Sequence, residues 1–488
     1  MCDIVLVRPN DKKAIYGTLP DSSTASDPPY WLALMGGYLN EHGINVKLID
    51  AENESQSPSE TAAIIRDIAP KLVGIIPLGS NVGASTWKMN GGGILSSELK
   101  NTCPELPQFI WGYHVSAIPK RTLQDELVDY VVTGEGFATV AQLFEELTGQ
   151  RRFGAIKGLW RRDNGRVVGT FNPQFIDNLD ELPVNGWELL PNYGYRNHLH
   201  FSLEDLSKRD RYGAVLTSMG CPYNCSYCAI RFFSGDKRVR YKSADRVADE
   251  AEYLVNNFGV YYLRILDECF TTNKKHVFEV CEAIAKRKLD VSIWVYARVE
   301  HITEQILSAM ATAGIKWLGI GIETGSQAIR DNVYKGQYTE TNVKEVVDMA
   351  KGAGISICDN YMFGLPGDTV DTMRETLELA RELNCGYPNM YCTMAYPGSQ
   401  LYKDALESGI DLPESWLGYA QLSYETKPLP TETLSSAEVL RFRDYAFNTY
   451  FENNEPYWNM IHEKFGQQAV DAIQKVLQGK LKRKLLGD

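Results

Sequence analysis

Three cysteines lie within eight residues of one another, at Cys221, Cys225 and Cys228. Their spacing is C-x3-C-x2-C, and they directly follow an apolar run that ends at Gly220. Three thiolates on one loop can bind three irons of a four-iron, four-sulfur (4Fe-4S) cluster and leave the fourth iron without a protein ligand. The spacing favours such a cluster over two alternatives, a zinc site built from paired C-x2-C units and a disulfide with a spare thiol.

The cysteine motif resembles that of the radical S-adenosylmethionine (SAM) superfamily. The resemblance implies that the three cysteines are the metal ligands and catalytic residues, and that the open iron chelates the amino and carboxylate groups of SAM. It also implies that Tyr227, just before the third cysteine, lies near the adenine. The remaining cysteines of the chain lack the spacing of a second cluster, so we expect one cluster only.

Six alternating strand and helix patterns must position this loop. The predicted strands are residues 214–219, 261–266, 292–296, 317–322, 355–362 and 389–395. Six such units indicate a partial (β/α)6 version of the TIM barrel that is open on one side. Barrel chemistry is found at the C-terminal ends of the strands, so we examined the residues at those ends.

Acidic, basic and glycine residues follow these strand ends in chain order, and each strand end resembles its counterpart in cobalamin-type radical SAM enzymes. The set is Asp267 and Glu268 after the second strand, Arg298 after the third, Glu323 after the fourth, and Gly364 and Gly367 after the fifth. The resemblance implies that Asp267 and Glu268 face the SAM amino group and ribose. It implies that Arg298 and Glu323 hold the carboxylate and ribose side, and arginine's planar fork suits a carboxylate. The glycine turn would pack against the adenine.

Residues 1–150 also alternate short apolar runs with helical patterns. The predicted strands are residues 3–7, 46–49, 72–76, 108–110 and 130–132. This alternation predicts a parallel sheet covered by helices on both faces, with ligands bound at the carboxyl ends of the strands. The loops at those ends are small and polar, and they comprise residues 78–81, 112–114 and 133–136.

These loops resemble those of the cobalamin-binding domain that precedes the radical SAM core in one large subfamily. The resemblance implies cobalamin contacts from Ser80, Gly112, Tyr113, His114, Gly134 and Glu135. The chain has no D-x-H-x-x-G motif, by which other cobalamin proteins supply an imidazole to the cobalt. We therefore expect cobalamin to bind base-off and without a histidine ligand, and we expect a hydrogen-bonded structural role for His114.

The expected fold class is α/β, with a Rossmann-like cobalamin-binding domain at 1–150, a linker with a hairpin at 151–210, a radical SAM core at 211–402 and a helical segment at 403–488. The hairpin is predicted from Asp163-Asn164-Gly165. The aromatic-rich C-terminal segment is first interpreted as a small helical domain with its own core, whereas in relatives such a segment caps the open barrel. The basic run at 480–484 is expected to be a solvated helix end.

The composition is that of a soluble globular protein of two or three domains, since the chain has 488 residues of which 44% are hydrophobic and 23% charged. The net charge of -12 argues against nucleic acid as a partner. No apolar stretch reaches the length that spans a bilayer, and the start of the chain lacks a signal-peptide pattern. We therefore expect a cytoplasmic protein.

These features lead to the hypothesis of a cobalamin-dependent radical SAM methylase that acts on an unactivated carbon of a small molecule. It would act as a monomer through a 5′-deoxyadenosyl radical and methylcobalamin, with a flavodoxin or ferredoxin as electron donor. One alternative is a cyclisation or other rearrangement that uses the same cofactors without net methyl transfer. Another is a non-catalytic corrinoid or iron–sulfur sensor, which would not need the full set of SAM-facing residues.

Overall fold

The computed structural model describes residues 2–17, 19, 24–79, 81–149, 153, 156–235, 237–335 and 338–488. Two largely parallel sheets organise the molecule. The first lies in residues up to 210, the first half, and the second lies in residues from 211 onward, the barrel half. In the described part of the chain, no helix combines the length and the apolar character needed to cross a membrane.

The first sheet contains seven strands. They are β1 Ile4–Arg8, β2 Val46–Asp50, β3 Leu72–Ile75, β4 Gln108–Trp111, β5 Tyr130–Val132, β6 Leu159–Asp163 and β7 Arg166–Gly169. Their order is β2-β1-β3-β4-β5-β6-β7, and β1 to β5 are parallel, which confirms the predicted sheet. The hairpin β6–β7 forms as predicted but is not part of a separate linker, because β6 pairs antiparallel with β5 and extends this sheet.

Helices cover both faces of the first sheet. They are α1 Lys12–Tyr16, α2 Tyr30–Glu41, α3 Pro58–Ile68, α4 Ala84–Trp87, α5 Met89–Thr102, α6 Tyr113–Ala117, α7 Pro119–Asp125 and α8 Phe137–Thr148. Alternate residues of β1 serve the two faces: Ile4 and Leu6 pack with α2 and α8, and Val5 and Val7 pack with α3 and α5. The start of α3 is fixed by a capping box between Ser57 and the helix.

The second sheet contains six parallel strands that neighbour one another in chain order. They are β8 Tyr212–Val215, β11 Tyr262–Ile265, β12 Ser292–Ala297, β13 Ile315–Glu323, β14 Ser356–Phe363 and β15 Tyr387–Cys392. Two short strands, β9 Ser218–Met219 and β10 Arg240–Tyr241, pair with each other beside it. Among the described residues β8 and β15 are the two edges of this sheet, which confirms a partial barrel open on one side.

Most helices of this half begin at a polar side chain that caps them. The helices are α9 Arg231–Ser234, α10 Ala244–Phe258, α11 Lys274–Arg287, α12 Glu304–Thr312, α13 Gln327–Asn332, α14 Glu340–Gly352, α15 Val370–Leu383 and α16 Gln400–Glu407. The side chains of Ser243, Asn273, Thr303 and Thr369 accept backbone N–H bonds at the starts of α10, α11, α12 and α15.

The C-terminal segment contributes α17 Ser436–Phe451, α18 Glu455–Phe465 and α19 Gln467–Leu477. The expectation that it has its own core is wrong, because Tyr450 and Tyr457 belong to the same apolar cluster as the barrel strands. The expected solvation of the basic run is also wrong at Arg483, which is 1% exposed and donates from Nε to Asp444 at 3.0 Å. This segment therefore packs onto the barrel rather than standing apart from it.

Candidate active site

The three cysteines lie on the loop between β9 and α9, at the C-terminal end of the first barrel strand. All three are free, half-buried thiols, and burial raises the pKa of Cys221 to about 12 and that of Cys228 to about 11. No three His, Cys, Asp or Glu side chains in the described ranges converge on a point that a single metal ion could occupy. The binding of a cluster by these three cysteines stays a prediction.

Close backbone contacts hold the cysteine loop. Gly220, at its start, has a φ of +100° and lies against the carbonyl oxygen of Arg238, so a side chain at this position would clash with backbone. In the middle of the loop, Ser226 donates its N–H to the carbonyl of Val333 at 3.1 Å and accepts from the N–H of Leu401 at 3.0 Å. The loop is thus fixed by three segments that are distant in sequence.

A cavity of about 320 Å³ lies at the C-terminal ends of the barrel strands and separates the barrel from the first sheet. Its barrel side includes Tyr227, Cys228, Glu268, Tyr296 and Glu323. Its opposite side is formed by the first half of the chain, through Asn81, Val82, Gly83, Trp87 and Tyr113. The cavity is therefore shared by the two halves, and one of the three cysteines is on its wall.

Asp267 and Glu268 are adjacent in sequence but differ in their contacts. The Asp267 carboxylate accepts four hydrogen bonds of 2.5 to 3.1 Å, from the backbone N–H groups and hydroxyls of Thr217 and Ser218. It thus fixes the segment that leads into the cysteine loop, and Asp267 also lines the cavity, so its expected contact with SAM stays a prediction. Glu268 Oε2 has no hydrogen-bond partner in the described residues, and burial raises the pKa of this carboxyl to about 7. Glu268 therefore keeps an acceptor for an ammonium group.

Glu323 adopts a strained backbone conformation at the end of β13. It has a φ of +65°, and the register with β14 shifts at this position. Its carboxylate accepts from Tyr227 Oη at 3.1 Å and pairs with Lys335 Nζ at 2.9 Å. Lys335 was not predicted from the sequence, because nothing in the spacing of this loop residue links it to Glu323. A Cβ on Gly321 would lie 2.7 Å from that ammonium, so the ion pair needs a glycine there.

Arg298 is buried beside the cysteine loop, but it is not among the described residues that line the cavity. Its Nε donates to Glu300 at 2.7 Å, and its Nη2 contacts both Glu300 and the carbonyl oxygen of Lys335. Its Nη1 lies 3.6 Å from Cys225 Sγ. The expected contact between Arg298 and the SAM carboxylate stays a prediction, and in the structure most of the guanidinium is already bound.

The turn after β14 contains Gly364 and Gly367, with φ values of +80° and +87°. Asp368 Oδ2 accepts the N–H groups of Gly364 and Leu365 at 3.0 and 2.9 Å, which closes the turn. Leu365 packs in a small apolar cluster with Tyr227. The turn and Tyr227 are therefore neighbours, as a shared site for a flat base requires.

The predicted cobalamin residues are only partly brought to the cavity. Ser80 lies outside the described residues. Tyr113 lines the cavity and packs against Phe233 of α9 with a ring separation of 4.2 Å. Gly112 and Gly134 instead face side chains of their own half, since added Cβ atoms would lie 3.0 Å from Leu78 and 2.5 Å from Pro173.

Glu135 and His114 have internal partners. Glu135 forms a buried ion pair with Arg240 of β10, which joins the two halves of the chain. His114 Nδ1 is 3.3 Å from Thr86 Oγ1, and its ring meets the face of Trp416 at 4.4 Å. Burial lowers the pKa of His114 to about 3, so its imidazole is neutral. His114 is not among the described residues of the cavity wall, and its Nε2 is buried without a hydrogen-bond partner in the described residues, so the expected structural role stays a prediction.

The residues of the first half that do reach the cavity come from the loop after β3, from α4 and from the start of α6. Trp87 and Tyr113 present aromatic rings, and Gly83 approaches the barrel closely, because a Cβ there would lie 2.9 Å from the ring of Tyr396. Sequence reasoning missed Trp87, which is one turn of helix beyond the predicted loop. These loops fit a ligand held between the two halves.

Comparisons with known proteins agree with this arrangement. The sequence profile of the Radical SAM superfamily matches residues 215–380, and that of the B12 binding domain matches residues 22–144. An uncharacterised methyltransferase of Pyrococcus horikoshii is 29% identical over 97% of this chain and 98% of its own length. The anaerobic magnesium-protoporphyrin IX monomethyl ester cyclase of Rubrivivax gelatinosus is 27% identical over 77% of this chain and 66% of its own length.

The fold is also similar to that of the radical SAM methyltransferase TsrM from Kitasatospora setae, solved with cobalamin and a [4Fe-4S] cluster bound. The TM-score is 0.69, the identity is 18%, and the match covers 93% of this chain and 90% of that one. Both profiles match one chain, in the order and at the places where the two sheets lie. The chain therefore belongs to the radical SAM enzymes that carry a B12-binding domain.

Proposed function

We propose that this enzyme methylates an unactivated carbon of a small-molecule substrate. The observation that carries the proposal is the shared cavity, which is lined by Cys228 and three carboxylates of the barrel and by Trp87 and Tyr113 of the first half, the B12-binding half. When bound, the cluster and SAM supply a 5′-deoxyadenosyl radical and cobalamin supplies the methyl group. The chain's own part is to bind these groups at one cavity and to exclude water from it.

Within this proposal, Cys221, Cys225 and Cys228 hold the cluster. Glu268 accepts the ammonium of SAM, because its carboxyl oxygen is otherwise without a partner in the described residues. Glu323 reaches the ribose from its strained position at the end of β13. We further propose that cobalamin binds base-off and without a histidine ligand. The second part is supported by the position of His114, which lies against Thr86 and Trp416 and is not among the described residues that line the cavity.

The rest of the cavity wall favours a substrate that is apolar around its reacting carbon. Three amides line the cavity, and each already has backbone partners: Asn81 accepts the N–H of Ala84, Asn360 donates to the carbonyls of Ile320 and Cys358, and Gln421 bonds in both directions to the backbone of Cys392. The guanidinium of Arg264 also lines the cavity, and it lies 4.4 and 5.6 Å from the ring centres of Trp294 and Tyr296. Much of the remaining lining is aromatic or thioether in character and comprises Tyr296, Met362, Tyr391, Met394 and Tyr396. Such side chains stabilise apolar and planar groups by burial and stacking.

A second candidate is a cyclisation or another rearrangement with the same cofactors. The alignment with the magnesium-protoporphyrin ester cyclase, named above, favours it as the alternative. We place the enzyme in the cytoplasm as a monomer, with a flavodoxin or ferredoxin as electron donor. The reducing cytoplasm suits a half-exposed cysteine loop.

The test begins with anaerobic purification from cobalamin-fed cells, followed by iron analysis, corrin absorbance and electron paramagnetic resonance (EPR). We expect about four irons per chain and a base-off cob(II)alamin spectrum. Iron without corrin would rule out cobalamin-dependent methylation. The Cys225→Ala variant should lose both the iron and SAM cleavage, and its retention of SAM cleavage would contradict the enzyme mechanism.

The products separate methylation from rearrangement. Reconstituted enzyme is incubated with methyl-deuterated SAM and with a cell extract separated into apolar and polar fractions. Methylation predicts label in a product from the apolar fraction and two SAM consumed per product. A rearrangement predicts an unlabelled product, and label confined to the polar fraction would contradict the apolar substrate. The Cys225→Ala protein provides the blank.

A further inference from the structure

The guanidinium of Arg298 is held in one orientation by groups on two sides. Nε and Nη2 both bind Glu300, at 2.7 and 2.6 Å, and Nη2 also donates to the carbonyl oxygen of Lys335. The flat face of the guanidinium lies 3.8 Å above the ring centre of Tyr223. A guanidinium that is held both along its edge and on its face has little freedom to turn toward a ligand.

This orientation directs the remaining nitrogen, Nη1, at the sulfur of Cys225. The distance of 3.6 Å is within the range of an N–H···S hydrogen bond, and Arg298 is only 7% exposed. Arg298 therefore brings a buried positive charge to one specific sulfur of the cysteine loop. Lys335 brings a second buried positive charge. The backbone carbonyl of the same residue is one of the groups that hold Arg298.

Tyr223 gives this arrangement a second support. It lies on the cysteine loop between Cys221 and Cys225, and its hydroxyl contacts His301 Nε2. His301 Nδ1 lies 3.0 Å from Thr271 Oγ1, so the ring under Arg298 is tied to the loop after β11. The arginine is thus stacked on a side chain that is itself anchored to the barrel.

We propose that Arg298 is a positioning residue for the cluster, which donates an N–H to the Cys225 thiolate and makes the cluster easier to reduce. The inference rests on the proposed cluster. Reduction adds a negative charge to the cluster, and a hydrogen bond and a positive charge at a ligand sulfur stabilise that charge. This role differs from the contact with the SAM carboxylate that the sequence predicts for Arg298.

The experiment compares the wild type with Arg298→Gln after anaerobic reconstitution, by redox titration followed by EPR and by calorimetric titration with SAM. We expect Arg298→Gln to keep its iron and to show a ratio of reduced to oxidised cluster about tenfold lower at the wild-type midpoint, which corresponds to a shift of ~59 mV to lower potential for a one-electron couple. We expect the SAM affinity to stay within about twofold. An unchanged midpoint together with a loss of SAM affinity would overturn the inference in favour of the carboxylate contact.

Arg231→Gln is the matched control. Arg231 lies near the same loop and donates to the carbonyl oxygen of Tyr223 at 3.4 Å. Its removal takes away one positive charge of the same kind, and we expect a clearly smaller shift than for Arg298→Gln. Equal shifts would show a general effect of charge and would contradict the specific hydrogen bond.

A second experiment does not depend on Arg298→Gln and covers the case in which that variant fails to bind iron. The protein is produced with ¹⁵N-labelled arginine, and pulsed EPR of the reduced cluster is recorded for the wild type and for Arg298→Lys. We expect a ¹⁵N coupling in the wild type that is lost in Arg298→Lys, and a wild type without it would overturn the inference. A wild type that takes up no iron would instead contradict the proposed function itself.

Discussion

At the scale of single residues, Glu268 shows how burial sets the charge of the site. Burial raises the pKa of its carboxyl to about 7, so the native protein holds a proton there under conditions in which an unfolded chain would not. The native state therefore binds more protons than the unfolded state between the ordinary pKa and pH 7. By linkage, this group makes the protein less stable as the pH rises through that window.

Glu268→Gln should remove this pH dependence and weaken SAM binding. At pH 8 we expect the free energy of unfolding of the variant to exceed that of the wild type by up to ~2 kcal/mol, and at pH 5 we expect no difference. The thermal midpoints of the two proteins at each pH measure this. We expect its SAM affinity to fall at least about tenfold at pH 8, because a charge-assisted hydrogen bond is lost. The wild type should bind SAM more weakly below pH 7, where Glu268 is protonated, and the variant should not show this change.

Asp359→Asn is the control for this prediction. Burial raises the pKa of Asp359 to about 7 as well, but this residue accepts from Tyr361 Oη and is not among the described residues of the cavity. It should therefore reproduce the stability gain at high pH without any change in SAM affinity. Equal SAM affinity in both variants would show that Glu268 does not contact SAM.

The sequence could identify which residues surround the site, but not what each one contacts. Asp267 and Glu268 follow the same strand with the same chemistry, and only the fold shows that Thr217 and Ser218 already bind the first of them. Lys335 could not be found at all, because its pairing with Glu323 depends on how the loop after α13 folds back. Motif spacing encodes strand ends, whereas contacts between separate loops depend on tertiary packing.

At the scale of elements, the end of β13 carries a tight packing requirement. The Glu323–Lys335 ion pair crosses the backbone at Gly321, where an added Cβ would meet both Glu323 Oε1 and Lys335 Nζ. The strand also shifts register with β14 here. A small residue, a bulge and a left-handed residue together aim one carboxylate into the cavity.

Gly321→Ala should displace this ion pair. We expect a loss of ~1–3 kcal/mol in stability from overpacking, together with weaker SAM binding in calorimetric titration. Gly352→Ala, at the end of α14, meets no atom within 4 Å and should be neutral or slightly stabilising. If Gly321→Ala bound SAM as tightly as Gly352→Ala does, the position of Glu323 would not matter for SAM.

Most barrel strands and helices could be predicted, because each βα unit carries its own apolar run and its own cap. Asn273 and Thr369, for example, mark helix starts by local chemistry alone. The placement of the hairpin β6–β7 could not be predicted, since its turn specifies a hairpin but not the strand that it joins. Pairing with β5 is a long-range choice that no local pattern encodes.

At the scale of the whole molecule, one buried ion pair joins the B12-binding half to the barrel. Glu135, at the end of β5, pairs with Arg240 of β10, and both side chains are at most 4% exposed. The same carboxylate accepts the N–H of Ile176 at 2.9 Å. Removal of one partner would leave the other charge buried without compensation.

Glu135→Leu and Arg240→Met should each destabilise the protein by ~3–5 kcal/mol, and the double variant Glu135→Leu/Arg240→Met should lose less than either. Thermal unfolding at several scan rates measures this, and corrin content reports whether the halves still close on the cofactor. Additive losses in the double variant would show that the two side chains act independently.

The packing of Phe233 has a consequence for how this enzyme could be recombined with its relatives. Phe233 belongs to the barrel half, yet its ring lies among Trp31, Trp111 and Tyr113 of the B12-binding half. A chimera joined at residue 150 would strip β5 of its antiparallel neighbour and fill the Phe233 site with a side chain fitted to another protein. The units that evolution combined are thus no longer the units that can be exchanged, and a working chimera must carry β6, β7 and α9 with the first half.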